Sequence, residues 1–207
     1  MALFDSTQLT RIEDAIRQVE QSTAGEIVVV SVARSNSYQD VRLLYAGAFA
    51  FVGAALLHFV WPELAVAWLL WAQIGLAGLV WLVLGQPALL RPLLPDAYAH
   101  HCVERRARLE FLEQRVFETR DRTGVLMLIS ELEHQVFMLG DSGIYQQLQQ
   151  QGFQVYVDRV IAAIRGGRAA EGVCEVIADV GRVLAEKFPR RPDDTNELPD
   201  AVQQEER

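Results

Sequence analysis

Hydrophobic and polar residues follow three different rhythms along this chain, and each predicts a different kind of element. The stretch STQLTRIEDAIRQVEQSTAG carries Leu9, Ile12, Ile16 and Val19 at helical spacing, opens on a Ser/Thr cap and stops at Gly25. EIVVVSVA follows, too short and too β-branched for a helix, and predicts a buried strand over 27–33. TGVLMLIS repeats that second rhythm, a glycine ahead of a continuous apolar run. ELEH then makes a short turn, and QVFML returns as an antiparallel partner ending at GDSGI. Ahead of this hairpin a charged helix is expected over 97–120, with Val103, Leu109, Leu112, Val116 and Phe117 as its apolar positions. Behind it come two amphipathic helices, over 152–164 and 169–187, joined by RGGR. From 189 to 207 the chain is rich in Pro, Asp, Glu and Gln, which predicts a flexible tail without structure of its own.

The third rhythm has no polar stripe at all. Between Arg42 and Arg91 there is neither Arg nor Lys, and Glu63 is the sole carboxylate. Two apolar runs, 42–61 and 64–84, are interrupted there mainly by His58 and Gln73. At about 1.5 Å per helical residue, each is long enough for a hydrocarbon layer of roughly 30 Å. A core helix of a soluble protein would show a polar face, so a two-span membrane hairpin turning at Trp-Pro-Glu is the expectation. Tyr45 and Trp81 fall near one end and Trp61 at the other, as an interfacial belt requires. Ala46, Ala50, Ala54 and Gly53 on one run, with Ala65, Ala72 and Gly75 on the other, offer small faces for close approach. Pro87, Pro92 and Pro95 break the segment 85–96 into an interfacial linker. Arg34, Arg42, Arg91, Arg105, Arg106 and Arg108 flank the runs, whereas the loop carries only Glu63; both termini are therefore expected in the cytoplasm. Residues 1–19 lack the apolar core of a signal peptide.

The order of elements predicts an α/β fold: a small α/β/α sandwich with a mixed sheet, interrupted by the transmembrane hairpin. Its domain is discontinuous, 5–37 plus 97–188. If the two Gly-led strands pair in one sheet, both halves lie on the same side of the membrane, which only an even number of spans permits. Composition adds two exclusions. With 19 basic against 27 acidic residues the formal charge is −8, so a general nucleic-acid partner is not expected. Cys102 and Cys174 form no CxxC pair and read as free thiols of a reducing compartment.

Candidate chemistry is sparse. Glu131, Glu133 and His134 cluster at the turn between the second and third strands, a set suited to acid–base work or to a metal. The plainer account is an exposed hairpin turn that favours polar residues. Glu26, Asp121 and Asp141 belong to one end of the sheet and offer oxygen ligands for a hard cation such as calcium. Against this, Asp141 and Ser142 suit a turn, with Gly140 and Gly143 supplying unusual dihedrals. The stretch DAYAHHCVE holds Asp96, His100, His101, Cys102 and Glu104, but on one helix only two of these share a face, too few for zinc. GxSxG, HExxH and phosphate-cradling glycine loops are missing, and the GDSG of trypsin-like proteases stands here without their all-β pattern. No catalytic residue is assigned.

IRQVEQSTAGEIVVVSV, RTGVLMLISELEHQVFMLGDSGI and VDRVIAAIRGGRAAEGVCEVIADVGRVLAEKFP, in that order, together with NELPD, resemble the TPM domain family of thylakoid and bacterial envelope proteins. The resemblance covers about 9–37 and 103–199. It implies an α/β/α sandwich, calcium in some members, and acid phosphatase activity in certain members. The chain departs from the family's commoner arrangement by lacking a signal peptide and by carrying its membrane segment inside the domain. The expectation is thus a multi-pass protein of the bacterial inner membrane whose domain faces the cytoplasm. It binds or scaffolds membrane-protein partners; a divalent-metal-dependent, phosphatase-like enzyme is the alternative. A weak calcium site would stay empty in the cytosol.

Overall fold

The computed structural model describes residues 3–191, 193 and 196–205, with the side chains of 146–151 left out. Two compact units emerge: residues up to Ser35 with those from His100 onward, and Asn36–Ala99.

The first unit is built on strands β1 (Glu26–Val32), β2 (Gly124–Ser130), β3 (Gln135–Gly140) and β4 (Gln203–Glu205), in the order β3-β2-β1-β4. β1 and β2 run parallel with Glu26 opposite Gly124, and β2 and β3 run antiparallel with Val125 opposite Gly140. Every residue of β1 and β2 is buried, the mark of strands covered on both faces. Period-two alternation sorts them. Ile27, Val29, Val125, Met127 and Ile129 enter one core with Ile12 and Ile16 of α1 (Ser6–Glu20) and Val173, Val176, Ile177 and Val180 of α7 (Ala169–Lys187). Val28, Val30, Val32, Leu126 and Leu128 enter the other, under Val103 and Ala107 of α5 (Asp96–Glu113). Helices therefore cover both faces of a mixed four-stranded sheet, as the order of elements predicted.

Three local expectations change. The charged helix ends at Glu113, because Arg115 takes a left-handed backbone at φ 53° and Val116 continues in a short 3-10 turn. Its buried positions are Ala99, Cys102, Val103, Ala107 and Glu110, whereas Leu109 and Leu112 are about half exposed, at 48% and 59%. The helix expected from 152 starts at Ser142, so that α6 is Ser142–Arg165. The tail takes its structure from the body it lies on: β4 pairs parallel with Val30–Val32, and Leu198 joins the core beneath α5.

The second unit contains α2 (Gln39–Val60) and α3 (Val66–Val83), followed by the short helix α4 (Pro87–Leu90). Two helices here are long and apolar enough to cross a membrane, with mean hydropathies of 2.0 and 1.9 and only 11% and 0% of those windows buried. Gly53 of α2 faces Leu76 of α3 so closely that a Cβ there would meet the leucine's Cδ2 at 2.4 Å. At the other end of the hairpin the Tyr38 and Tyr98 rings stand edge to face, 6.0 Å apart, and Tyr98 donates to Asp40. The two ends of this segment thus meet.

Candidate functional site

At the sheet end where β1 begins, the structure gathers acidic residues that only partly coincide with those expected. α1 delivers Arg17 and Glu20 and is capped by Gln21, β1 opens on Glu26, and the tail brings Arg190, Asn196 and Asp200; with Thr23 they line a cavity of about 180 Å³. That is below the 300–1,000 Å³ usual for small-molecule sites. Glu20 follows Ile12 and Ile16 at four-residue steps and so continues the buried stripe of α1. Its Oε1 accepts the Ile27 N–H at 3.2 Å. Burial first, then the neighbouring charges of Glu26 and Asp200, push its carboxyl up to about 9, so it carries its proton at neutral pH. Asp200 is held by Arg17 Nε at 3.2 Å, and Glu26 Oε1 accepts the Glu197 N–H at 3.2 Å. These contacts pin the tail to the body.

Glu26, Asp121 and Asp141 do share this end of the sheet, but each carboxylate turns to its own partner. Asp121 pairs with Arg191 at 3.1 Å, and Asp141 lies 3.8 Å from Arg122. Among the described residues no group of three His, Cys, Asp or Glu side chains is arranged to hold a metal ion. Asp141 is not a turn residue but the N-cap of α6, its Oδ1 accepting the Ser142 N–H at 2.5 Å. Nor do Gly140 and Gly143 supply unusual dihedrals, since the only positive-φ glycine among the described residues is Gly167. Gly143 supplies room instead, because a Cβ there would stand 2.7 Å from the carbonyls of Asp121 and Arg122.

The β2–β3 turn also differs from an exposed polar loop. Glu133 is fully buried; its Oε1 accepts the Ser35 N–H at 2.9 Å and its Oε2 the Ser130 hydroxyl. The Ser35 and Ser130 hydroxyls lie 2.7 Å apart. This network fastens the chain leaving β1 to the far end of the hairpin. Glu131 accepts the Leu3 N–H at 3.0 Å, while His134 is exposed and closes the turn at φ 52°. The three residues therefore do not converge on a reacting centre. In sequence, Glu133 gives no sign of its burial, whereas Glu20 could have been found as a carboxylate in a core register. His100 rests against Phe137, with ring centroids 5.8 Å apart, and contacts Gln135 at 3.2 Å.

No family model and no curated protein matches the chain. Among solved structures it is similar to the NMR structure of the BA42 protein from the psychrophilic bacterium Bizionia argentinensis. The two share 18% sequence identity and a TM-score of 0.61, over 98% of this chain and 95% of that one. At that identity the likeness concerns the fold, and the fold it supports is the mixed α/β arrangement described above.

Proposed function

We propose that this chain is a membrane-anchored binding or scaffolding protein: α2 and α3 form a transmembrane hairpin, and the α/β unit is a TPM-like module offered to membrane-protein partners on the cytoplasmic side. The observation that carries the reading is the exposure of the two helices. Phe51, Phe59, Trp68, Trp71 and Leu82 are each between 67% and 82% exposed. Patches of that size on a soluble monomer are rare, whereas lipid solvates them without cost. Neither helix shows a polar stripe toward water, and all their backbone hydrogen bonds can be met internally, as a bilayer demands.

The sheet supports an even number of spans. β1 precedes α2 and β2 follows α3, yet the two strands pair over seven residues from Glu26–Gly124 to Val32–Ser130. Both must lie in one aqueous phase. The basic residues at the open end of the hairpin support the cytoplasm as that phase. A reporter active only in the periplasm should be silent when fused after Arg207 and active when inserted at Glu63. The reverse pattern would overturn the orientation, and release of the chain from membranes by alkaline carbonate would overturn the anchor itself.

A further inference from the structure

At the open end of the hairpin, the first turn of α2 and the last turn of α3 meet around one guanidinium. Arg42 Nη2 donates to the Trp81 carbonyl at 2.6 Å, and the guanidinium carbon lies 4.3 Å from the centroid of the Trp81 ring. Gly85 lies against the same group, since a Cβ there would stand 3.3 Å from Nη2. Arg42 pairs with no carboxylate among the described residues, and its shielded Nε meets no acceptor among them. The nearest acid in sequence, Asp40, accepts from Tyr98 instead. Tyr45, one turn further along the same face of α2, donates to the Leu93 carbonyl at 3.4 Å and so brings the turn Arg91–Leu93 beside that face. Arg91 gives one nitrogen to Asp96 at 2.9 Å, and its shielded Nε likewise meets no acceptor among the described residues. The closed end of the hairpin carries Glu63 and no basic residue.

An under-satisfied guanidinium backed by Trp and Tyr, at the rim of two apolar helices, lies where lipid headgroups lie. Its remaining N–H groups suit a tetrahedral oxyanion, to which arginine offers a planar fork of donors. We propose that Arg42, assisted by Arg91 and framed by Trp81 and Tyr45, binds the phosphate of an anionic phospholipid whose acyl chains run along the exposed helix surface. This rests on the membrane reading above and goes beyond it by naming one lipid class and one place.

The test uses the full chain in a neutral detergent, incubated with equimolar phosphatidylglycerol and phosphatidylcholine of matched acyl chains. Lipid that stays bound through gel filtration is extracted and quantified. Wild type should retain phosphatidylglycerol over phosphatidylcholine by roughly fivefold, Arg42→Gln should bring the ratio to parity, and Arg91→Gln should lower it less. Because Arg42→Gln can loosen the end of α3, the wild type is also tested in about 1 M salt, where screening should lower the ratio with no change of sequence. Parity in wild type at low salt, or an unchanged ratio in Arg42→Gln, overturns the proposal. Flotation with pure phosphatidylcholine vesicles separates the two layers of the argument. A chain that floats without preferring phosphatidylglycerol refutes the headgroup site alone, and one that does not float refutes the membrane reading beneath it.

Discussion

β2 and α3 are both nearly unbroken apolar runs, yet they meet opposite surroundings. All seven residues of β2 are buried by protein on both faces, whereas no residue of α3 is buried. The strand's side chains have found their solvent inside the fold; the helix's side chains, although some pack on α2, all stay at least partly exposed. Apolar content alone therefore does not say where a segment goes. Length and backbone pairing decide: a seven-residue strand needs neighbours to satisfy its N–H and C=O groups, while an 18-residue helix satisfies its own and can sit in lipid.

The most drastic way to break this contrast is to remove one side of it. Replacing residues 39–95 by a flexible linker of about ten residues, with a mean span of some 16–19 Å, should leave a soluble α/β unit that unfolds cooperatively. The 6.0 Å separation of the Tyr38 and Tyr98 rings shows that so short a bridge suffices. Aggregation or a non-cooperative melt, followed by circular dichroism, would show that the sheet depends on the hairpin.

Single truncations sharpen the same contrast. Leu128→Ala, at a position with 0% exposure, should cost about 2–5 kcal/mol in denaturant unfolding of the α/β unit. Leu44→Ala, at 70% exposure, should change that stability by no more than roughly 0.5 kcal/mol. Equal effects would mean that the two regions share one core. Glu133→Ala should fall next, at about 1–3 kcal/mol, because it leaves the buried Ser35 N–H without its acceptor and takes one of the two partners from the Ser130 hydroxyl. A neutral result would show that water or a neighbour replaces the carboxylate.

A pH dependence is expected at Glu20. Its carboxyl lies at about 9 in the folded chain against 4.5 as the ordinary value, so folding takes up a proton between these limits. The sign follows: the stability linked to this group is complete below pH 4.5 and is lost as pH rises toward 9. Glu20→Gln should flatten that decline, with a denaturation midpoint closer to wild type at pH 5 than at pH 9. A parallel decline in both proteins would assign the effect to other groups.

The sequence by itself determined the elements whose pattern is local. The stripe Ile12–Ile16, the Gly-led strands and the length of the two stripe-free apolar runs are each legible within one segment, and α7 spans 169–187 as its spacing required. It also placed Asp141 opposite the start of β2, because hairpin register is counted along the chain; the Asp141 N–H reaches the Gly124 carbonyl at 2.8 Å. Only the tertiary structure decided what distant segments do to one another. The Gln-rich start of α6 has no apolar stripe of its own and is set by the Asp141 cap and by Ile144 and Phe153 in the core. The three-residue strand β4 is polar and too short to announce itself; it exists because the outer edge of β1 has backbone groups to pair. Glu133 looks in sequence like any turn carboxylate, and its burial depends on Ser35, 98 residues away. Glu20 has its raised carboxyl because folding buries it and brings Glu26 and Asp200 to it from a strand and a tail. Periodicity is written within one segment, whereas burial and electrostatics are properties of several brought together.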